Sequence, residues 1–351
     1  MSLSHPRFRP WLLLPAQFAH DIAPLGLDLA ALFSARVEAD VQTFEWTRKG
    51  RTLSFRNPLG IAGGVDKDGR QIWGWQHFGA GFVEIGTVTP KPQTPNPGSI
   101  IGRDVSHGAL WNRMGFPGRG AHFARSLLRE FRADELNTGE LGTRFPVFVN
   151  IGKQRETTLE SASRDYTWLI DFFCEPANHA AERLADAFVI NISSPNTKGL
   201  RDLFSRERLY EFLAPIAERL EYHHTPGLLK LSPDMDDETL ASALEVSTKL
   251  DLDGFIATNT TAARPAGVRF PAEGGLSGAP LAPRSREVLR NVISMLGEKR
   301  ESRLIVSAGG VMNGAEAASR LKMGADLVET YCGLVFEGPR FFDHALRELE
   351  A

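Results

Sequence analysis

Leu59-Gly60-Ile61-Ala62-Gly63-Gly64-Val65-Asp66-Lys67 is a short apolar run that ends in two glycines and a charged turn. An open doubly wound sheet that binds a dinucleotide would place G-x-G-x-x-G after its first strand, and this stretch lacks that spacing. The chain then repeats the same theme. Further apolar runs cover Phe82–Val88, Val147–Ile151, Phe188–Ile192, Leu228–Leu231, Gly254–Ala257, Leu304–Ser307 and Leu327–Tyr331. Their apolar positions are nearly continuous rather than alternating, as in a parallel strand covered on both faces. Helical periodicity fills the gaps over Leu209–Glu221, Asp237–Leu250, Arg284–Leu296 and Gly314–Met323, with Asp236 or Asp237 placed to cap the second. Eight strand–helix units predict an α/β fold, a (β/α)8 TIM barrel.

The first forty residues read differently. Phe18, Ile22, Leu25, Leu29, Leu32 and Phe33 recur at helical spacing, and Pro24 with Gly26 divides them. That predicts an N-terminal extension of two short amphipathic helices. Val41–Trp46 and Arg51–Phe55 alternate around Arg48-Lys49-Gly50, the pattern of a β-hairpin. The expected division is therefore residues 1–40 as the extension and residues 41–351 as the barrel. The start, Arg7-Phe8-Arg9-Pro10-Trp11-Leu12-Leu13-Leu14, has too short an apolar part for a signal peptide, because Pro15 and Gln17 interrupt it. No stretch approaches the roughly 20 apolar residues that span a bilayer.

Composition narrows the function. The 351 residues suffice for one large barrel with an extension, and 42% apolar with 24% charged residues is globular usage. A net charge of -3 gives no footprint for nucleic acid. Cys174 and Cys332 are the only cysteines, which excludes a disulfide scaffold and fits a reducing compartment. Neither has a Cys or His neighbour at zinc-site spacing, so no metal site is expected.

In such a barrel the functional groups gather where the strands end. The runs deliver Gly63, Gly64 and Lys67; Thr87; Asn150; Asn191, Ser193, Ser194 and Asn196; Lys230; Thr258, Asn259 and Thr260; Gly309-Gly310; and Tyr331-Cys332-Gly333. These are neutral hydrogen-bonding groups plus two lysines, with no acid among them. The third to sixth runs end without a carboxylate, which argues against a glycosidase pair. The histidines, among them His77, His107, His122, His179, His223 and His224, fall in loops and helices. A ring of amides and lysines suits a planar, anionic, hydrogen-bonding ligand such as an isoalloxazine or a carboxylated pyrimidine. Gly309-Gly310 alone reads equally as a tight turn or a phosphate cradle; with Gly275-Leu276-Ser277-Gly278 nearby in the chain, phosphate is favoured. Lys230 reads either as a lysine snorkelling from a strand end or as a charge at a flavin.

Seven segments in series carry a resemblance over about residues 50–345. They are Asn57–Gly69, Val83–Gln93, Asn112–Phe116, Asn191–Arg201, Ala257–Thr261, Gly274–Gly278 and Gly333–Pro339. The chain resembles the class 2, quinone-dependent dihydroorotate dehydrogenases. That resemblance implies oxidation of dihydroorotate to orotate on FMN, with a membrane quinone as acceptor. By position, Ser194 would be the general base at C5, and the C6 hydride would go to flavin N5. Lys67, Asn112, Gly115, Phe116, Asn191, Asn196, Asn259 and Thr260 would hold the substrate. Ala62, Gly63, Thr87, Asn150, Asn191, Lys230, Thr258, Ser277, Gly278, Gly309, Gly310, Tyr331 and Cys332 would hold FMN. Class 1 relatives carry a cysteine as base, and Ser194 argues against them.

The resemblance also gives the extension a task. Leu12, Leu13, Leu14, Phe18, Ile22, Leu25, Leu29 and Phe33 read either as an ordinary packing face or as an apolar lining for membrane docking and quinone entry. The family implies the latter: peripheral binding on the cytoplasmic face of the bacterial inner membrane, or a cytoplasmic protein if the extension does not dock. Four departures stand out. Pro117 replaces a common Asn, Ser307-Ala308 replaces Gly-Val, Glu329 replaces Gln, and Cys332 replaces a hydroxyl residue near the phosphate. A thiol donates weakly, which predicts looser FMN binding. The alternative is an FMN barrel of the same family acting on a different dihydropyrimidine or unsaturated ring. A phosphate-binding isomerase without redox chemistry would need a carboxylate or histidine at a strand end.

Overall fold

Double-sided burial gathers the eight apolar runs into one closed parallel barrel in the computed structural model. The structure describes residues 9–38, 41–138, 144–174, 183–197 and 199–350. Arg7, Phe8, Asp40 at the expected domain boundary, His179, and Lys198 within the Asn191–Arg201 segment lie outside the described residues.

After a 3-10 turn at Pro10–Leu13 comes helix α1 (Ala16–Phe33), then the hairpin β1 (Phe44–Arg48) and β2 (Arg51–Phe55). The chain continues β3 (Leu59–Ile61), α2 (Ile72–His77), β4 (Phe82–Val88), β5 (Ile101–Asp104), β6 (Ala109–Asn112), α3 (Ala121–Thr138), β7 (Val147–Ile151) and α4 (Ala162–Cys174). Next are β8 (Ala187–Asn191), α5 (Arg206–Tyr222), β9 (Gly227–Lys230), α6 (Asp237–Lys249), β10 (Gly254–Ala257), β11 (Gly275–Gly278) and α7 (Ala282–Leu296). The last are β12 (Leu304–Ala308), α8 (Gly314–Lys322), β13 (Leu327–Thr330), α9 (Cys332–Glu337) and α10 (Phe341–Glu350). The barrel order is β3-β4-β7-β8-β9-β10-β12-β13, and Val328 opposite Leu59 closes the ring. Strands β5, β6 and β11 form a separate antiparallel sheet, which the sequence reading did not foresee.

Each barrel strand sends alternate residues to opposite faces. Ile61, Val83, Ile85, Val149, Ile190, Leu229 and Phe255 face the helices. Phe82, Phe148, Val189, Leu228, Ile256, Leu304 and Leu327 fill the interior. Both faces are therefore apolar, and the runs read as continuous. The hairpin closes the end of the barrel where the strands begin. Its Trp46 and Phe55 join the interior cluster, with the Phe55 ring edge-on to Phe82 at 5.7 Å and to Phe148 at 6.2 Å.

Asp236, not Asp237, caps α6, its side chain accepting from the Thr239 amide at 2.8 Å. The extension differs from expectation. Helix α1 runs unbroken through Pro24 and Gly26, although each costs helix stability. Tertiary contact outweighs that cost: Leu27, Ala30 and Ala31 pack on the core, and Asp28 accepts from Gln71 Nε2 at 2.9 Å. The other helical piece is the 3-10 turn, held by Arg103, which donates to the carbonyls of Trp11, Leu12 and Leu14.

Phe55→Ala is expected to cost about 3–5 kcal/mol by opening the plugged end of the barrel. Urea unfolding followed by tryptophan fluorescence measures it, and a loss below about 1 kcal/mol would mean that the hairpin does not seal the interior.

Candidate functional site

Two residues beyond the plug, the same inward positions turn polar. Glu84 follows Phe82, Asn150 follows Phe148, Lys230 follows Leu228 and Glu329 follows Leu327, all buried. Lys230 Nζ donates to both Glu84 oxygens, at 2.6 and 2.9 Å, and Asn150 Nδ2 also donates to Glu84 Oε1. The expectation of lysines without an acid is thus corrected, since Lys230 has a complete counter-ion inside the barrel. Burial alone would lower the Lys230 ammonium; Glu84, then Glu329, outweigh it and hold it above its ordinary value. Gly63 lies directly over this layer, because a Cβ there would strike the Glu84 carboxylate.

Above the layer is a web of amides. Asn191 Nδ2 donates to Thr87 Oγ1 at 2.9 Å and to Asn150 Oδ1 at 3.3 Å. Asn259 Nδ2 donates to Ser193 Oγ at 3.0 Å and to Asn191 Oδ1 at 3.3 Å. Asn196 Nδ2 donates to Asn112 Oδ1 at 2.8 Å, which joins the loop after β8 to the end of β6. Asn196 Oδ1 is buried and meets no donor among the described residues. Ser194 is buried beside it, its Oγ accepting the Asn196 backbone N–H at 3.2 Å. Gln93 Nε2 holds the Gly115–Phe116 turn by both carbonyls, at 2.7 and 3.2 Å.

Opposite the Asn112–Phe116 segment, the Gly309-Gly310 turn is fixed from behind. The buried Arg320 donates to Gly309 O at 3.0 Å, Ser285 Oγ at 2.8 Å and Ser307 Oγ at 3.0 Å. Ser307, one of the departures, thus serves as an acceptor for that guanidinium. Gly310 has φ +78, and a Cβ there would meet Ala282. Among the described residues, neither glycine N–H bonds a backbone acceptor. Cys332 Sγ donates to Ser277 Oγ at 3.2 Å, and burial pushes its thiol up to about 12.

Lys67 stands at the rim under α1, its Nζ 3.2 Å from His20 Nε2. Burial lowers the Lys67 ammonium. It also lowers His20, to about 4, with the Lys67 charge adding to the effect. The sequence reading missed His20, since helical phase alone does not say which face meets the barrel.

One cleft, about 1070 Å³ counted out to its open mouth, gathers these groups. Every residue expected to act as base or to hold substrate or FMN lines it except Gly278, while the strand-end residues Ser193 and Gly333 do not. Gly278 instead pairs with Ala109 between β11 and β6, so Gly275–Gly278 is a strand rather than a phosphate turn. Also lining the cleft are Met114 and Pro117 from the Asn112–Phe116 loop and its edge, and Ile101, Leu110, Trp111 and Val311, which no motif had marked. Glu84 carried a signal that went unused, a charge inside the apolar run Phe82–Val88.

The family model described as dihydroorotate dehydrogenase matches residues 47–351. The chain is 43% identical over 292 residues to a dihydroorotate dehydrogenase (quinone) of Thermus thermophilus, covering 82% of this chain and 78% of that one. It is 37% identical to a protein of the same name from Xylella fastidiosa, covering 98% and 96%. Its structure is similar to a crystal structure of DHODH from Eimeria tenella in complex with ferulenol, with TM-score 0.83 and 31% identity over 98% of this chain and 92% of that one.

His20 fixes a pH dependence of stability. Its value falls from 6.5 to about 4 on folding, so only the unfolded chain takes up its proton between those values. Stability is full above 6.5 and is lost as pH falls toward about 4, by at most about 3 kcal/mol. His20→Gln should flatten that limb in urea titrations, and an unchanged limb would remove His20 as its source.

Proposed function

The chain belongs to the dihydroorotate dehydrogenase family of oxidoreductases, and on that premise we propose that it oxidises dihydroorotate to orotate, with FMN in the barrel mouth and a quinone as acceptor. One observation carries the reading: a neutral amide web, one compensated ammonium and a buried serine hydroxyl converge on a single cleft. The donor set fits FMN. Gly309 and Gly310 offer backbone N–H groups for a phosphate, and Lys230 with Asn150 and Asn191 offers donors to a flavin's polar edge. Bound FMN would supply the hydride acceptor at N5.

The substrate side follows from charge. Among the described residues no carboxylate lies within ion-pair distance of Lys67, whose neighbour is the neutral His20. The carboxylate of dihydroorotate would restore the charge that burial disfavours. Asn112, Asn191, Asn196 and Asn259 would then meet the ring's amide groups, and the unsatisfied Asn196 Oδ1 is an acceptor in wait. Ser194 is assigned as the base that takes the C5 proton. Its Oγ accepts from the Asn196 amide, which leaves its own proton free to point elsewhere. A hydroxyl is a weak base, so it needs a dry, closed site and a path for its proton.

For the acceptor, Ile101 and Leu110 line the cleft on the side that Leu12 covers. Leu13, Phe18, Ile22, Leu25, Leu29, Leu32 and Phe33 are exposed along the extension. Such an apolar face fits peripheral docking on the cytoplasmic face of a bacterial inner membrane. Among the described residues no helix is long and apolar enough to cross a membrane. A second reading, another dihydropyrimidine as substrate, draws on Pro117 in the cleft wall, where the family commonly has Asn.

Ser194→Ala should slow flavin reduction by dihydroorotate about 10²–10⁴-fold while sparing reoxidation by quinone. Anaerobic stopped-flow resolves the two half-reactions, and unchanged reduction would remove Ser194 from the chemistry. Failure of dihydroorotate to bleach the wild-type flavin would favour the second reading. Replacing Leu25, Leu29 and Phe33 together with Ser should weaken vesicle binding at least about tenfold. Turnover with a long-chain quinone should fall, and turnover with a soluble dye should not. Vesicle binding that survives all three changes would locate the docking face elsewhere.

A further inference from the structure

Three ionisable groups share the layer between the aromatic plug and the mouth: Glu84 on β4, Lys230 on β9 and Glu329 on β13. Glu84 is satisfied, by Lys230 at 2.6 and 2.9 Å and by Asn150. Glu329 is not. Both its oxygens are buried, and neither meets an N–H or O–H donor among the described residues. Its neighbouring strands bring nothing ionisable. On β12 the inward residues are Val306 and Ala308, and on β3 they are Gly60 and Ala62. From β7 and β10 come Asn150, Ile256 and Thr258. Among the described residues, the charges that bear on Glu329 are those of Glu84 and Lys230.

One ammonium cannot neutralise two carboxylates in a dry interior, and a second anion without a donor would be very costly. A carboxylic acid resolves this, because its O–H is a donor and Glu84 is the acceptor beside it. We propose that Glu329 is a buried carboxylic acid that shares one proton with Glu84 and, through Lys230, sets the charge beneath the cofactor site. It is a positioning residue: it acts on the ring only through the Glu84–Lys230 pair. Burial first, and the Glu84 charge second, raise its pKa well above the ordinary carboxyl range.

The consequence is a removable proton. With Glu329 neutral, the layer sums to zero, Lys230 against Glu84. If the proton leaves, the layer gains a negative charge under the ring and electron uptake above it becomes harder. A glutamine at this position would be a neutral donor permanently. The glutamate in this chain makes the donor titratable.

The part of this inference that concerns the ring rests on the proposed FMN reading; the part that concerns the proton does not. The test has two arms. In the first, infrared difference spectra compare wild type with Glu329→Gln without added cofactor. A protonated-carboxyl C=O band, above the amide I region, is expected in wild type at neutral pH and should fade in alkali. It should be missing from Glu329→Gln. It should also vanish in Glu84→Gln, where Glu329 becomes the sole counter-ion of Lys230 and ionises. Absence of the band in wild type, or its persistence in both variants, overturns the proposal whatever the cofactor is. The second arm measures the midpoint potential of the FMN-loaded protein against pH. Wild type and Glu329→Gln should coincide where Glu329 is protonated, and wild type should fall more steeply in alkali. Parallel curves overturn the coupling. A chain that takes up no FMN refutes the proposed function, while the infrared arm still decides the proton.

Discussion

An ammonium inside a closed barrel dictates what surrounds it. Lys230 is buried, so it requires a counter-ion within reach, and Glu84 supplies one from the far side of the ring of strands. That pair survives only where water is excluded below it, which the Phe55, Phe82 and Phe148 cluster achieves. It also limits what else the mouth can hold. Any further fixed ion near the pair would need its own partner. Most polar groups around the pair are accordingly neutral: Asn150, Asn191, Asn259, Thr87 and Thr258. Among the described residues the exception is Glu329, which fits only with its charge removed. A floor of balanced charge under a neutral wall is a surface on which a ring can gain or lose electrons with little rearrangement.

Much of this was legible in the sequence because of how parallel strands are buried. The eight runs were visible since both faces of each strand are apolar, and their ends pointed to the mouth residues without any knowledge of pairing. What escaped reading was non-local. The β5-β6-β11 sheet joins segments far apart in the chain, and Gly275–Gly278 looked like a turn because its strand character comes entirely from Ala109–Asn112. Helix α1 was split at Pro24 and Gly26, since local propensity knows nothing of Leu27, Ala30 and Ala31 meeting the core. Glu84 and Glu329 were visible as charges in apolar runs. Their meaning depends on barrel closure, which brings them to one ammonium.

The extension is a wall of the site as well as an outward face. Asp66 fixes the turn after β3 by accepting the N–H groups of Gly69, Arg70 and Gln71 and the Trp75 indole. Lys67 follows directly on that rigid turn, and α1 lies over it through His20 and through Asp28 on Gln71. The same helix turns Leu25, Leu29, Leu32 and Phe33 outward. A helix with one face on a buried lysine and the other apolar to solvent has no globular reason for its second face. Moving α1 would admit water to Lys67 and raise the local dielectric. The dryness that the proposed role of the Ser194 hydroxyl would need is therefore tied to how the apolar face is covered. Whatever covers Leu25 and Phe33 also steadies the roof over the Lys67 side of the cleft.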